Sequence, residues 1–254
     1  MILIEDQAYV IDCGNGVSRQ LALAGVPPRS LRAVFLTHHH SDHNADYGNL
    51  FLLAWAANLD HPVAAFGPPP LRAMTDHFLA LSELDIRTRI ADEGRPELRP
   101  LINDEEVDAP GEVYADELVR VSTALVDHPP LQTALAYRFD TADRSIVISG
   151  DTARSPNLIE LARGADVLVH EVIYPPALES VVARSNGETL MRHLLDSHTD
   201  VREVGAIAQA AGVKTLVLSH LVPAEEGIEE ALWLKAASAG FDGEVIVGQD
   251  LMVL

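Results

Sequence analysis

Short apolar segments typical of strands alternate with helical segments in two similar runs along this chain. In the first run, strand-like residues 8–12, 33–36 and 63–66 are each followed by a helical pattern. Four successive strand-like segments over 112–149 separate this run from a second one, which extends to residue 247. The pattern predicts one α/β domain over 1–254, a four-layer αββα sandwich in which helices cover two face-packed sheets.

A single doubly wound parallel sheet is the alternative architecture. That fold usually carries a glycine-rich phosphate loop directly after its first strand. The corresponding segment here, Cys13-Gly-Asn-Gly-Val-Ser, is too short for that fingerprint, so we interpret it as a turn.

Composition narrows the class of protein. Hydrophobic residues make up 48% of 254 residues, enough for a sizeable core, and no apolar run reaches the roughly 20 residues of a membrane span. The N-terminus lacks the basic region of a signal peptide. Cys13 is the one cysteine, which excludes an internal disulfide and a cysteine-based structural zinc site. These features favour a cytoplasmic protein.

The chain is strongly acidic, with a net charge of −20 and only 18 Lys and Arg. Nucleic-acid binders usually carry a basic patch that displaces counterions from phosphates. We therefore expect a small-molecule substrate and neither a nucleic-acid nor a membrane partner. A small anionic substrate stays compatible, because bound metal ions dominate the local field.

A dense cluster of potential metal ligands follows the strand over 33–36. In Thr37-His-His-His-Ser-Asp-His43, four such residues fall within six positions: His38, His40, Asp42 and His43. Imidazole and carboxylate together suit zinc, manganese or iron. A solvated polar loop is the alternative reading, but the spacing favours a metal site.

Three further candidates stand at the ends of later strands. His128, Asp151 and His220 each come shortly after an apolar strand, where active sites of open sheets collect. A catalytic metal needs about three protein ligands and an open position for water. Two metals therefore need more than the four residues of the first cluster.

The run His38-x-His40-x-Asp42-His43, followed in order by His128, Asp151 and His220, resembles the metallo-β-lactamase superfamily. The resemblance covers nearly the whole chain and implies the αββα fold and a two-metal hydrolase. The resemblance implies that one metal is held by His38, His40 and His128. It implies that the other is held by Asp42, His43 and His220, and that Asp151 bridges both metals.

Two further elements resemble the ribonuclease Z-like branch of that superfamily. Val169-His-Glu-Val172 is similar to its His-Glu-Ala-Thr element, and Ser197-His-Thr199 to its later His-Ser/Thr element. The resemblance implies that Glu171 orients His198 and that His198 protonates the leaving group. It assigns no role to His170. Relatives in this branch are often dimers, so a homodimer is compatible with it.

The chain departs from ribonuclease Z in two ways. The resemblance implies a long arm that grips tRNA, inserted between the positions of His128 and Asp151. Here those residues are only 23 positions apart, filled by two predicted strands and a turn. The chain also opens at what resembles the family's second strand, so the usual first strand is expected to be missing.

These observations predict a metal-dependent hydrolase in which a hydroxide held by two divalent ions, zinc by preference, attacks a small ester. Asp42, Glu171 and His198 form the expected catalytic set. A phosphodiester or aryl sulfate is the favoured substrate, and a lactone or β-lactam is the alternative. A ribonuclease Z-type tRNA endonuclease and a metal-binding protein without turnover rank below them.

Overall fold

Two separate β-sheets, one in each half of the chain, form the framework of the protein. The computed structural model describes residues 1–223 and 227–254, which divide into two units, Met1–Asp108 and Ala109–Leu254. Each unit has its own sheet and its own apolar core. The single doubly wound sheet is therefore not the architecture of the described residues.

The first unit contains a five-stranded sheet of order β1-β2-β3-β4-β5. Only β1 and β2 pair antiparallel, and β2 to β5 are parallel. The strands are β1 Ile2–Ile4, β2 Gln7–Ile11, β3 Leu31–Phe35, β4 Val63–Gly67 and β5 Ile102–Glu106. The helices are α1 Val17–Leu23, α2 Ser41–Asn44, α3 Tyr47–Ala56, α4 Leu71–Leu81 and α5 Glu83–Glu93.

Strands β3 and β4 of this sheet are mostly apolar, since both of their faces are covered. In β3, the side chains of Ala33, Val34 and Phe35 are all fully buried. Phe51 and Trp55 of α3 pack in the same core as Val34. This packing fixes the C-terminal end of β3, where the histidine cluster begins.

The second unit contains a seven-stranded sheet of order β12-β11-β10-β9-β8-β7-β6. Strands β6 to β9 form an antiparallel meander, and β9 to β12 are parallel. The strands are β6 Gly111–Ala115, β7 Val119–Leu125, β8 Leu135–Thr141, β9 Ser145–Ile148, β10 Val167–Ile173, β11 Thr215–Val222 and β12 Glu244–Val247. The helices are α6 Pro156–Leu161, α7 Leu178–Arg184, α8 Leu190–Ser197, α9 Val201–Ala211 and α10 Glu230–Ala237.

The structure confirms the predicted run of strands over 112–149 and differs from the sequence at several helices. The helix predicted over 71–91 is two helices that meet at Ser82, and the one predicted over 176–196 ends at Arg184 and restarts at Leu190. The helix predicted over 225–239 spans Glu230–Ala237, and residues 225 and 226 lie outside the described residues. Strand β5 was not predicted, since its last three residues are acidic. Among residues 1–223 and 227–254, no helix combines the length and apolar character that a membrane crossing requires.

His170 lies in the middle of β10 and is fully buried. Its Nδ1 donates to the backbone oxygen of Glu171 at 2.6 Å, while its Nε2 has no hydrogen-bond partner among the described residues. Burial lowers the pKa of His170 to about 4 from 6.5. The folded chain therefore keeps this imidazole neutral at a pH where the unfolded chain protonates it.

We expect His170 to make the fold sensitive to acid. Its contribution to the free energy of unfolding falls as the pH drops from about 7 to about 4, by about 3 kcal/mol in total. Urea denaturation of wild type and His170→Leu at both pH values measures the effect. The stability of the variant should rise relative to wild type as the pH falls, and a constant difference would contradict the assignment.

Candidate metal centre

The histidine cluster forms a loop between β3 and α2, and its first candidate ligands are brought together by local hydrogen bonds. His38 Nε2 lies 3.0 Å from His40 Nδ1. Two nitrogens bound tetrahedrally to one zinc ion are separated by about 3.3 Å, so this spacing fits a shared ion. Thr37 Oγ1 lies 3.0 Å from His38 Nδ1 and donates its own proton to Asp12. His38 Nδ1–H must then donate to Thr37, which leaves the lone pair on Nε2.

Asp12, directly after β2, holds this loop in place. Its carboxylate accepts from the Thr37 backbone N–H at 2.7 Å and from Thr37 Oγ1 at 2.8 Å. It also accepts from His43 Nδ1 at 2.7 Å, which places the lone pair of His43 on Nε2. That nitrogen lies 3.4 Å from Asp42 Oδ2. Asp42 and His43 therefore present an oxygen and a nitrogen to the same point.

The turn after Asp12 packs against the backbone of the cluster. Cys13 N–H donates to the His43 backbone oxygen at 2.6 Å, and Asp46 N–H donates to the Cys13 oxygen at 2.8 Å. Gly14 approaches so closely that a Cβ there would lie 2.1 Å from the Asp42 backbone oxygen. A glycine is thus required beside the ligand loop.

We expect Gly14→Ala to disturb the ligand loop, because the added methyl group meets backbone rather than a flexible side chain. Overpacking of this kind costs about 1–3 kcal/mol. Chemical denaturation and zinc content of the purified variant measure the loss. Gly187→Ala is the matched control, since its Cβ would meet side-chain atoms alone, the Ser185 hydroxyl at 3.3 Å and Leu190 Cβ at 3.6 Å. Equal effects of the two substitutions would contradict the prediction.

His128 in the second unit follows β7 and is oriented by the end of α8. Its Nδ1 donates to the backbone oxygen of Ser197 at 2.8 Å. A carbonyl oxygen only accepts, so the Nε2 of His128 carries the lone pair that a metal ion requires. The side chain is 1% exposed.

Asp151 follows β9, and His220 lies within β11, which is separated from β9 by β10 in the second sheet. His220 Nε2 is 3.5 Å from Asp151 Oδ2, and Asp151 is buried. Strand β11 contains a β-bulge here, because Glu171 pairs with Ser219 and Val172 pairs with Leu221, which leaves His220 as the extra residue. His220 has a φ of 46°, a left-handed conformation that is strained for a histidine. The bulge breaks the alternation of the strand at this candidate ligand.

Glu171 and His198 lie beside this pair. His198 Nδ1 is 3.3 Å from Glu171 Oε2 and 3.9 Å from Asp151 Oδ2. The other oxygen of Glu171 accepts from the backbone N–H groups of Thr199 at 2.9 Å and Thr152 at 3.2 Å. Burial, with the nearby charge of Asp151, raises the pKa of Glu171 well above its ordinary value. Glu171 is thus fixed by backbone and faces the imidazole.

Each unit brings its own predicted site residues together. In the first unit these are His38, His40, Asp42 and His43, and in the second they are His128, Asp151, Glu171, His198 and His220. His39 points elsewhere, donating to the Pro68 backbone oxygen at 2.7 Å.

Asp46 and Tyr47, which come shortly after the histidine cluster, are held in the turn after β2 and in the core of the first unit. The Tyr47 hydroxyl contacts Thr75 Oγ1 at 3.0 Å inside the core, and burial raises the pKa of this phenol. Phe51 and Trp55 belong to the same core. Asp46 accepts from Gly16 N–H at 2.6 Å and so closes the turn after β2.

Asp12 is a residue that the sequence analysis missed as a positioning group. It carried the same signal as the other candidates, an acidic residue directly after a buried strand. Ser197, whose backbone oxygen orients His128 from 69 positions away, carried no such signal.

The chain belongs to the metallo-β-lactamase superfamily, whose family profile matches residues 1–220. It is accordingly a metal-dependent hydrolase that acts on ester bonds. Among curated proteins it is similar to ribonuclease Z of Mycobacterium bovis, with 35% identity over 248 residues, which cover 96% of this chain and 86% of the relative. Ribonuclease Z of Mycobacterium marinum is also 35% identical over 248 residues, 96% of this chain and 87% of the relative.

Two solved structures share the fold. The short form of human tRNase Z superposes with a TM-score of 0.71 at 18% identity, covering all of this chain and 90% of that one. The metallo-β-lactamase fold protein YhfI from Bacillus subtilis superposes with a TM-score of 0.69 at 22% identity, covering 97% of this chain and 86% of that one. Together with the two sheets described above, they confirm the predicted fold class.

The prediction that the chain has no nucleic-acid partner is wrong. Its curated relatives are named ribonuclease Z, so the comparison points to RNA. The prediction rested on the net charge of −20. The net charge of a whole chain does not determine the electrostatic field at one site. Where metal ions contribute the largest local charges, an acidic chain can accept a phosphate.

Proposed function

We propose that this chain is a ribonuclease Z-type phosphodiesterase that hydrolyses RNA with two bound zinc ions. The pairing of Glu171 with His198 carries the proposal. Attack on an RNA phosphodiester expels a sugar alkoxide, a poor leaving group that benefits from a positioned acid. Lactone and β-lactam hydrolysis would not require His198.

The donor set fits a pair of divalent ions. Three couples of ligand atoms, His38 with His40, Asp42 with His43 and Asp151 with His220, are separated by 3.0, 3.4 and 3.5 Å. In each of His38, His43 and His128, the Nδ1–H is donated to a protein oxygen. This leaves Nε2 for a metal, as is usual for ligating histidines. The ligands would be His38, His40, Asp42, His43, His128, Asp151 and His220, which requires residues 1–254 to act as one domain.

Bound ions of this type supply a hydroxide at neutral pH and stabilise developing negative charge. The protein contributes a proton and the orientation of its donor. His198 would donate that proton to the departing oxygen, and Glu171 would hold the imidazole through Nδ1. Because Glu171 is itself held by Thr152 and Thr199, its carboxylate cannot rotate without losing two hydrogen bonds.

A phosphodiesterase or arylsulfatase for small esters is a second candidate. It is favoured by the 23-residue interval between His128 and Asp151, which β8, β9 and their connections largely fill. An RNA-gripping arm at that position is therefore absent from the chain.

The test combines metal analysis with three substrates. The purified protein should contain two zinc ions per chain and should cleave an unprocessed tRNA transcript that carries a 3′ extension. His38→Ala is the inactive control. Hydrolysis of bis(p-nitrophenyl) phosphate or p-nitrophenyl sulfate without cleavage of the transcript would favour the second candidate. Failure on all three substrates by a zinc-loaded protein would overturn both.

A further inference from the structure

His193 has no role in the proposed function, although it lies among residues that do have one. It is a half-buried residue of α8, and its ring centroid is 5.8 Å from that of His128 and 5.9 Å from that of His198. One ring nitrogen from each of the three lies within 4.8 Å of the others. No other trio of histidines among the described residues of the second unit is grouped in this way.

Hydrogen bonds determine which nitrogen His193 presents. Ser197 Oγ lies 2.5 Å from the Pro129 backbone oxygen, to which it must donate. The same hydroxyl lies 3.2 Å from His193 Nδ1. Since the serine proton is already used, Nδ1–H of His193 donates to it, and the lone pair of the neutral ring resides on Nε2.

His193 is therefore arranged in the way that ligating histidines are. An imidazole whose Nδ1–H is donated to protein has its tautomer fixed and its Nε2 more basic. Ser197 accepts the Nδ1–H of His128 with its backbone oxygen and the Nδ1–H of His193 with its hydroxyl. His198 has its Nδ1 directed at Glu171, which leaves Nε2 on the other side of the ring.

We propose that His193 and His198 form an additional, inhibitory binding site for zinc beside the ligand His128. Two imidazoles suit this ion. With two protein ligands and the rest water, the site would be weaker than a three-ligand catalytic site, so it would fill only when free zinc is in excess. A zinc ion on Nε2 of His198 would prevent that nitrogen from carrying the proton. The inhibition thus rests on the acid role of His198 in the proposed function, whereas the binding does not.

The first test is stoichiometry, which needs no substrate. Wild type and His193→Asn are dialysed against buffers of increasing free zinc chloride, and bound zinc is measured by elemental analysis. Asparagine retains a donor to Ser197 and lacks the Nε2 lone pair. We expect wild type to bind one zinc ion more than the variant at high free zinc. His77→Gln removes an exposed histidine of α4 and should bind as many ions as wild type.

The second test is inhibition, with each protein normalised to its own activity at low free zinc. Loss of an outer-shell partner alone costs about 10- to 100-fold in metal affinity, so loss of the His193 ligand should raise the inhibitory zinc concentration at least about tenfold. Equal zinc content in wild type and His193→Asn would overturn the proposed site. One extra zinc ion without any inhibition would retain the site and refute its effect on His198. A protein inactive on every substrate would refute the proposed function and leave the stoichiometry to decide the site.

Discussion

Replacing His198 by alanine lowers kcat on RNA by about 10²- to 10⁴-fold, the usual contribution of a positioned acid. Hydrolysis of bis(p-nitrophenyl) phosphate should fall much less, because p-nitrophenolate leaves without a proton. The measurement is the ratio of the fall in kcat on RNA to the fall in kcat on bis(p-nitrophenyl) phosphate. It separates acid catalysis from structural damage, since damage to the fold would lower both rates together.

Glu171→Gln refines this prediction. Glutamine retains a carbonyl oxygen for the N–H groups of Thr152 and Thr199, and it puts an amide nitrogen in place of the carboxyl oxygen that faces His198 Nδ1. We expect Glu171→Gln to lower kcat on RNA less than His198→Ala does. The loss should again be larger on RNA than on bis(p-nitrophenyl) phosphate. The limb of the pH–rate profile that reports the acid should also move in this variant. Equal losses on both substrates in the two variants would contradict the roles of both residues.

Asp12→Asn is expected to weaken zinc binding by about 10- to 100-fold, as is typical when the partner of a ligating histidine is removed. The carboxylate accepts from Thr37 and from His43 Nδ1, and an amide cannot satisfy all of these donors. Asparagine is preferred to alanine because Asp12 has a φ of 58°, a conformation that asparagine tolerates. Competition with a chromogenic chelator measures the affinity.

Asp6→Asn provides the matched control, because Asp6 is an exposed carboxylate of the same unit. It should bind zinc as wild type does. If Asp12→Asn also bound zinc normally, Asp12 would only close the turn, and the orientation of His43 would have to come from elsewhere.

The candidate ligands could be recognised in the sequence because each belongs to a short-range pattern. His38, His40, Asp42 and His43 fall within six residues, and Asp151 and His220 each come shortly after an apolar run of the sequence. The groups that orient these residues come from distant positions. Ser197 orients His128 from 69 positions away, and such a pairing is invisible without the fold.

The limits of the fold prediction have a similar cause. The strands over 112–149 follow one another closely, so local alternation identified them. Strand β5, with sequence Ile-Asn-Asp-Glu-Glu, has little apolar character and exists because its backbone pairs with β4. Ser82 separates α4 from α5 within an apolar pattern that continues across it, so periodicity alone could not place the break.

The bulge at His220 implies that activity and rigidity make opposite demands on β11. Deleting this one residue would let the strand continue as a regular ladder beside β10 and would relieve a left-handed backbone worth roughly 1–3 kcal/mol. The same deletion would remove a proposed ligand. A search for more heat-resistant forms of this chain would therefore tend to select changes that straighten the strand and abolish turnover, so thermostability screens on it need an activity filter.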